Sequence, residues 1–213
     1  MHHIGLMKAG LKKYLGAFDQ VGLTGGKQKI IAAFLQLSAQ EGYSSVTMRR
    51  LATMAGLKAS TIYSHFSGGR DQILADSLRS NYNLFALAVH DGIANAKTPG
   101  EALRQLVEVH LRQQLTRPEN DMWDMLVATD RFGHFLQDAL RAEVDEWLKF
   151  CDFMYEAILL DLGCENPRTH AGFIRVALDS CHGWWNFSGS EESILACIDF
   201  SMDMIRRQTS ISA

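Results

Sequence analysis

In the stretch TMRRLATMAGLKASTIYSHF, Thr47 to Phe66, the residues able to do chemistry are hydroxyls, bases and a phenol set among small and apolar neighbours. Ala52 is followed four residues on by Gly56, a pairing that lets one helix end in a turn while the next crosses it closely. Leu51, Ala55, Leu57 and Ile62 supply the apolar contacts of that crossing. Lys58, Ala59, Ser60, Thr61 and Tyr63 are then left outside, on a second helix too short to be stable alone. Such groups read base edges in a major groove: Lys58 can donate to guanine, and Ala59 and Thr61 can meet a thymine methyl. Thr47 sits where an N-cap belongs, beside free amides that suit a phosphate oxygen, and Arg49 just inside can reach backbone or base edge.

The charge distribution points the same way. Of 213 residues with net charge -3, residues 1–80 hold ten Lys or Arg against four acids, a balance of +6, leaving -9 for the remainder. A basic first third on an acidic body implies a polyanion partner for the first third and another task for the body. No nucleophile elbow, glycine-rich phosphate loop, H-E-x-x-H or paired metal-ligand motif occurs, so no enzyme, cofactor or metal is expected. Cys151, Cys164, Cys181 and Cys197 are unpaired in spacing and read as buried thiols of a reducing compartment. No apolar run approaches the roughly 18 residues a bilayer requires, so the expectation is a cytoplasmic chain with no membrane partner.

Apolar residues recur at helical spacing almost throughout, and only three prolines interrupt them, so the fold is expected to be all-α. Residues 1–26 carry a weakly amphipathic stretch, readable as a short helix or a loose arm. Nine helices follow: Lys27 to Gln40, Thr47 to Ala55, Lys58 to Ser64, Arg70 to Ala96, Pro99 to Thr116, Glu119 to Phe132, Phe135 to Leu162, Pro167 to Phe187 and Glu191 to Gln208. Gly42, Gly56, Thr98-Pro99 and Pro118 supply stops and starts.

From Lys27 to Leu78, the pattern T-x-x-x-[LI]-A-x-x-A-G-[LV], then T-I-Y-x-H-F and R-D-Q-I-L, resembles the DNA-binding domain of TetR-type transcriptional regulators. The resemblance implies an N-terminal three-helix helix-turn-helix domain at 27–72 and a ligand-binding and dimerisation domain at 73–213, which leaves 1–26 as an N-terminal extension or arm. It implies contact with double-stranded operator DNA by Lys27, Thr47, Arg49, Lys58, Ala59, Ser60, Thr61, Tyr63, His65 and Arg70. Tyr63 and His65 match positions that touch phosphates in that family. Two departures stand out: Lys58 replaces the usual capping Ser or Thr, and the usual lysine after H-F is missing, with Arg70 expected to take over its phosphate contact.

All four tryptophans lie beyond residue 120. Each reads singly as core filling; in the layout the resemblance implies, Trp123, Trp147, Phe150, Met154, Phe173 and Trp184 surround a cavity for a small hydrophobic effector. His110 and His134 are candidate polar partners there. The last helix is apolar on two sides and needs a second partner, which points to a homodimer through Phe173, Ala177, Cys181, Leu195, Ile198, Met202 and Ile205. The expected function is a ligand-responsive regulator, a repressor by family habit, released by an effector such as a lipid- or steroid-derived acyl thioester. The alternative is a DNA-binding dimer or scaffold with no effector.

Overall fold

The computed structural model describes residues 1–18, 24–117 and 119–211, and among these all regular structure is helical. The elements are α1 (His2–Phe18), α2 (Gly25–Glu41), α3 (Met48–Ala55), α4 (Ala59–His65), α5 (Gly69–Gly92), α6 (Pro99–Thr116), α7 (Glu119–Gly133), α8 (Asp138–Asp161), α9 (Pro167–Asp179) and α10 (Glu191–Thr209), with single 3-10 turns at Tyr43–Ser45 and Cys181–Gly183. There are ten helices among the described residues where nine are expected, because the N-terminal stretch is itself a helix. Ile4, Met7 and Leu11 line one face of α1 and are buried. The punctuation expected at Pro118 falls outside the described residues.

The helix expected to reach Phe187 stops at Asp179. The Trp184 indole folds back and donates to the Ala177 carbonyl at 2.8 Å, while the Trp185 amide bonds Cys181. The last turn of α9 is thus completed by a side chain instead of continuing as helix. The helix expected from Phe135 starts at Asp138, after a corner where His134 takes φ 45° and the Leu136 amide donates to Asp130.

The chain forms two compact units. One comprises Phe18–Tyr82 and Glu119–Ala142. Here α2 packs on α3, α4 and α7, burying Ile30, Phe34 and Leu37 with Leu51, Ile62, Phe66 and Trp123. The Phe34 and Trp123 rings stack with centroids 6.5 Å apart. Full burial of such side chains contributes about 1.5–3 kcal/mol each, which is what holds a helix of seven residues such as α4 in place.

The other unit comprises Met1–Ala17, Asn83–Pro118 and Glu143–Ala213. Its centre is α6, packed on α9 and α10 and buried at Leu103, Leu106, Val107, His110 and Leu111. On α8, Trp147 meets the Tyr14 ring at 4.7 Å, and Phe150 lies so close to Gly10 that a Cβ there would be 2.8 Å from the ring. The start of α1 is capped from α8: Asp161 accepts from the backbone amides of His3 and Ile4 at 3.2 and 3.0 Å. No helix among the described residues is long and apolar enough to cross a membrane.

Candidate nucleic-acid interface

Thr47 caps α3 as its sequence context predicts, accepting the Arg50 amide at 3.3 Å. The helix ends at Gly56, whose φ 61° and ψ 39° lie in the left-handed region that costs an L side chain about 1–2 kcal/mol. Leu57 N bonds Ala52 O at 2.9 Å, closing the turn and redirecting the chain into α4. Lys58 precedes α4 without a side-chain cap, as an ammonium must, since it has no acceptor. Ile62 and Phe66 are fully buried and pin α4 from below. Lys58, Ala59 and Ser60 are exposed, Tyr63 is 49% exposed, and Thr61 is half-buried. Thr47 and Arg49 on α3 are exposed as well. These six exposed groups and Thr61 are drawn from two crossing helices locked by one turn.

Three further candidates have intramolecular partners. Lys27 puts its ammonium 3.5 Å from the buried Asp76 carboxylate and 5.3 Å from the Phe66 ring centroid. His65 packs over Gly26, where a Cβ would lie 2.7 Å from Nε2. Arg70 stacks on Tyr43, with Cζ 4.5 Å from the ring centroid. Arg50 pairs with Glu41. None of these pairings follows a helical i,i+4 spacing, so sequence reading had no signal for them. The inclusion of residues 119–142 in this unit was equally invisible, because it rests on Trp123 meeting Phe34 and on Phe135 meeting Tyr43 at 5.0 Å.

The effector candidates are divided between places. Trp123 fills the core of the unit just described. In the other unit, Trp147, Phe150 and Met154 lie along α8, with Met154 fully buried and Trp147 edge-on to Phe85 at 6.2 Å. A polar cluster adjoins them. His110 Nδ1 is 2.8 Å from the Tyr155 hydroxyl and Nε2 is 2.9 Å from Asp179. Both bonds are satisfied when Nε2–H donates to the carboxylate and Nδ1 accepts from the phenol. Arg175 donates to Asp179 at 2.7 Å and to Asp152 at 2.5 Å. Burial alone would raise the Asp179 carboxyl, but hydrogen bonding from His110 and the nearby Arg175 charge hold it below the usual range. Burial pushes the Tyr155 phenol well up, so it stays protonated. His134 is exposed at the α7–α8 corner, in the other unit from His110.

Phe173 and Trp184 instead line a groove of about 280 Å³ between α9 and α10, with Ala177, Phe200 and Met204. Of the residues expected at a dimer interface, Phe173 and Leu195 are exposed and Ala177 is partly so. Cys181, Ile198, Met202 and Ile205 are covered by the chain's own helices. Val176, Trp184, Phe200 and Met204 turn outward together with Phe173 and Leu195. Sequence periodicity marked α10 as apolar on two sides but could not say which side turns inward.

A model of the bacterial regulatory proteins of the tetR family matches residues 30–76, from α2 into α5. No protein of curated function matches the chain. Several solved structures are similar in fold. The fatty acid degradation regulator FadR from Bacillus halodurans is 18% identical, with TM-score 0.67 over 86% of this chain and 96% of its own. AibR, solved in complex with isovaleryl coenzyme A and operator DNA, is 17% identical, with TM-score 0.67 over 88% of this chain and 100% of its own. The ketosteroid transcriptional regulator KstR2 of Mycobacterium tuberculosis is 13% identical, with TM-score 0.72 over 90% of this chain and 97% of its own.

Proposed function

We propose, from the premise that the chain belongs to the TetR family of transcriptional regulators through the domain at residues 30–76, that it is a homodimeric repressor released from a palindromic operator by a small hydrophobic effector. The observation that carries this reading is the crossing of α3 and α4 at Gly56, which leaves Lys58, Ala59, Ser60 and Tyr63 outward on a helix pinned by Ile62 and Phe66. Thr47 and Arg49 hold phosphates or reach a base edge, and α4 reads the major groove with Thr61 at its inner margin. DNA contact is assigned to residues 27–72, and effector binding and dimerisation to 73–213.

The effector is best sought along α8. Trp147, Phe150 and Met154 offer apolar surface, and the buried Tyr155 hydroxyl, whose proton is hydrogen-bonded to His110, keeps an acceptor lone pair close by for a ligand donor. AibR was solved with an acyl thioester, and FadR and KstR2 are named for fatty acid and ketosteroid regulation; a lipid- or steroid-derived acyl thioester is the effector class we favour. Such a ligand needs only a higher affinity for the released arrangement than for the DNA-bound one.

The test begins with selection of a preferred duplex from a random pool by the purified protein. Thr61→Ala and Tyr63→Ala are each expected to weaken binding to that duplex about tenfold, roughly 1–2 kcal/mol. Operator affinity unchanged in both variants would sink the assignment of α4. A panel of acyl-coenzyme A thioesters should contain a compound that raises the melting temperature and lowers DNA affinity; a panel without effect on either would favour a regulator with no effector.

A further inference from the structure

Arg70 opens α5, and its surroundings give it a different task from that of an exposed base. Its guanidinium lies over the Tyr43 ring, with Cζ 4.5 Å from the centroid. Its Nη1 donates to the Val46 carbonyl at 3.5 Å, and Nε is 3.9 Å from Asp71 Oδ1. Tyr43 belongs to the 3-10 turn that joins α2 to α3, and its hydroxyl donates to Asp71 Oδ1 at 3.3 Å. The other Asp71 oxygen accepts from Gln137 Nε2 at 3.2 Å, and the Tyr43 ring meets Phe135 at 5.0 Å. Asp130 braces that corner, accepting from the Leu136 amide and from Arg141. A single cluster thus ties together the α2–α3 junction, the first turn of α5 and the α7–α8 corner, all within one unit.

Val46 immediately precedes Thr47, the cap of α3. A side chain that holds the Val46 carbonyl therefore sets where α3 begins, and through Gly56 where α4 points. We infer that Arg70 is a positioning residue that, with Tyr43, Asp71, Phe135 and Gln137, latches the start of α3, and that it does not neutralise a phosphate. The inference rests on the DNA-reading role proposed above for α3 and α4. It also separates Arg70 from Lys in chemical terms. A flat fork can stack on a ring while donating to a carbonyl and lying beside a carboxylate; an ammonium on a flexible stem carries the same charge but cannot reproduce that geometry.

The experiment uses the full chain and the duplex selected as above, with binding followed by fluorescence anisotropy at several salt concentrations. Arg70→Lys is expected to lower affinity about tenfold at every salt concentration, and Arg70→Gln to leave the slope of log K against log salt unchanged. Tyr43→Leu should match the loss, Tyr43→Phe should recover most of it, and Arg70→Lys with Tyr43→Leu should cost no more than the worse single change. Gln137→Ala, at an exposed position, gives a milder variant that retains the fold.

Hydrogen exchange of the free protein supplies a readout that needs no DNA. Amides of residues 47–55 should lose protection in Arg70→Lys and Tyr43→Leu, with α9 and α10 unaffected. An Arg70→Lys protein that binds like the parent, or an Arg70→Gln slope reduced by about 0.9, would identify a phosphate contact and overturn the latch. Should the parent protein prefer no duplex at all, the DNA-reading proposal fails, while the exchange result still decides whether Arg70 holds α3.

Discussion

Lys27 and Arg70 carry the same charge as Lys58 and Arg49, yet the fold gives them different surroundings. The first two sit against Phe66 with Asp76 and against Tyr43 with Asp71, while the latter two are exposed. A charge count therefore marks which third of the chain is basic, not which of its bases stay exposed. The Asp161 carboxylate makes a similar point in the other unit. Burial alone would raise it, but the Ile4 amide, the Met1 ammonium 3.0 Å away, and the His3 ring and amide hold it well below the usual aspartate range. Because the folded value is depressed, its contribution is complete above the unfolded value near ~4 and is lost as pH falls through the folded one. Asp161→Ala should therefore destabilise the protein by about 1–2 kcal/mol at pH 7, as loss of a helix cap does. In urea melts the gap between variant and parent should narrow as pH drops below ~4; a constant gap would mean that Asp161 is not capping α1 as a carboxylate.

At the scale of elements, α4, the proposed reading helix, depends on the turn that delivers it. Gly56 has φ 61°, and nothing lies within 4 Å of where its Cβ would be, so a substitution there is opposed by backbone geometry and not by crowding. Gly56→Ala should lower stability by about 1–2 kcal/mol, with Gly56→Asn recovering part of it because Asn tolerates the left-handed region. Thermal melts check the ranking, and an alanine variant as stable as the parent would contradict the turn geometry. Helix existence and type along the chain were legible from apolar spacing and caps: Thr47 and Thr98 both accept from the amide three residues on. The ends of α9 and α8 were not legible, because they are set by the Trp184 indole reaching Ala177 and by Asp130 reaching Leu136. Helical periodicity carries no record of such contacts.

For the molecule as a whole, the outward apolar face of α9 and α10 is the feature that a lone chain leaves unexplained. Phe173, Trp184, Phe200 and Met204 line one groove there, and Val176 on α9 is exposed as well, so large apolar side chains face outward on both helices. A second copy using the same face would cover it with two-fold symmetry, and a palindromic operator with half-sites about one DNA turn apart, roughly 34–36 Å, or a multiple of it, is what such a pair would require. If the proposed dimer uses this face, Phe200→Glu should yield a monomer in sedimentation velocity while circular dichroism stays helical, and affinity for the proposed operator should collapse because the two reading heads are no longer held together. A variant that remains dimeric would move the interface elsewhere.

By itself, the sequence determined the helical class, the crossing at Ala52 and Gly56, and the outward set on α4, since these depend on neighbours within a few turns of chain. Only the tertiary structure decided that Arg70 lies on Tyr43, that Trp123 belongs to the unit of α2 and α3, and which side of α10 is covered. Those outcomes are set by side chains far apart in sequence, and local periodicity registers that a face is apolar without registering what it will meet.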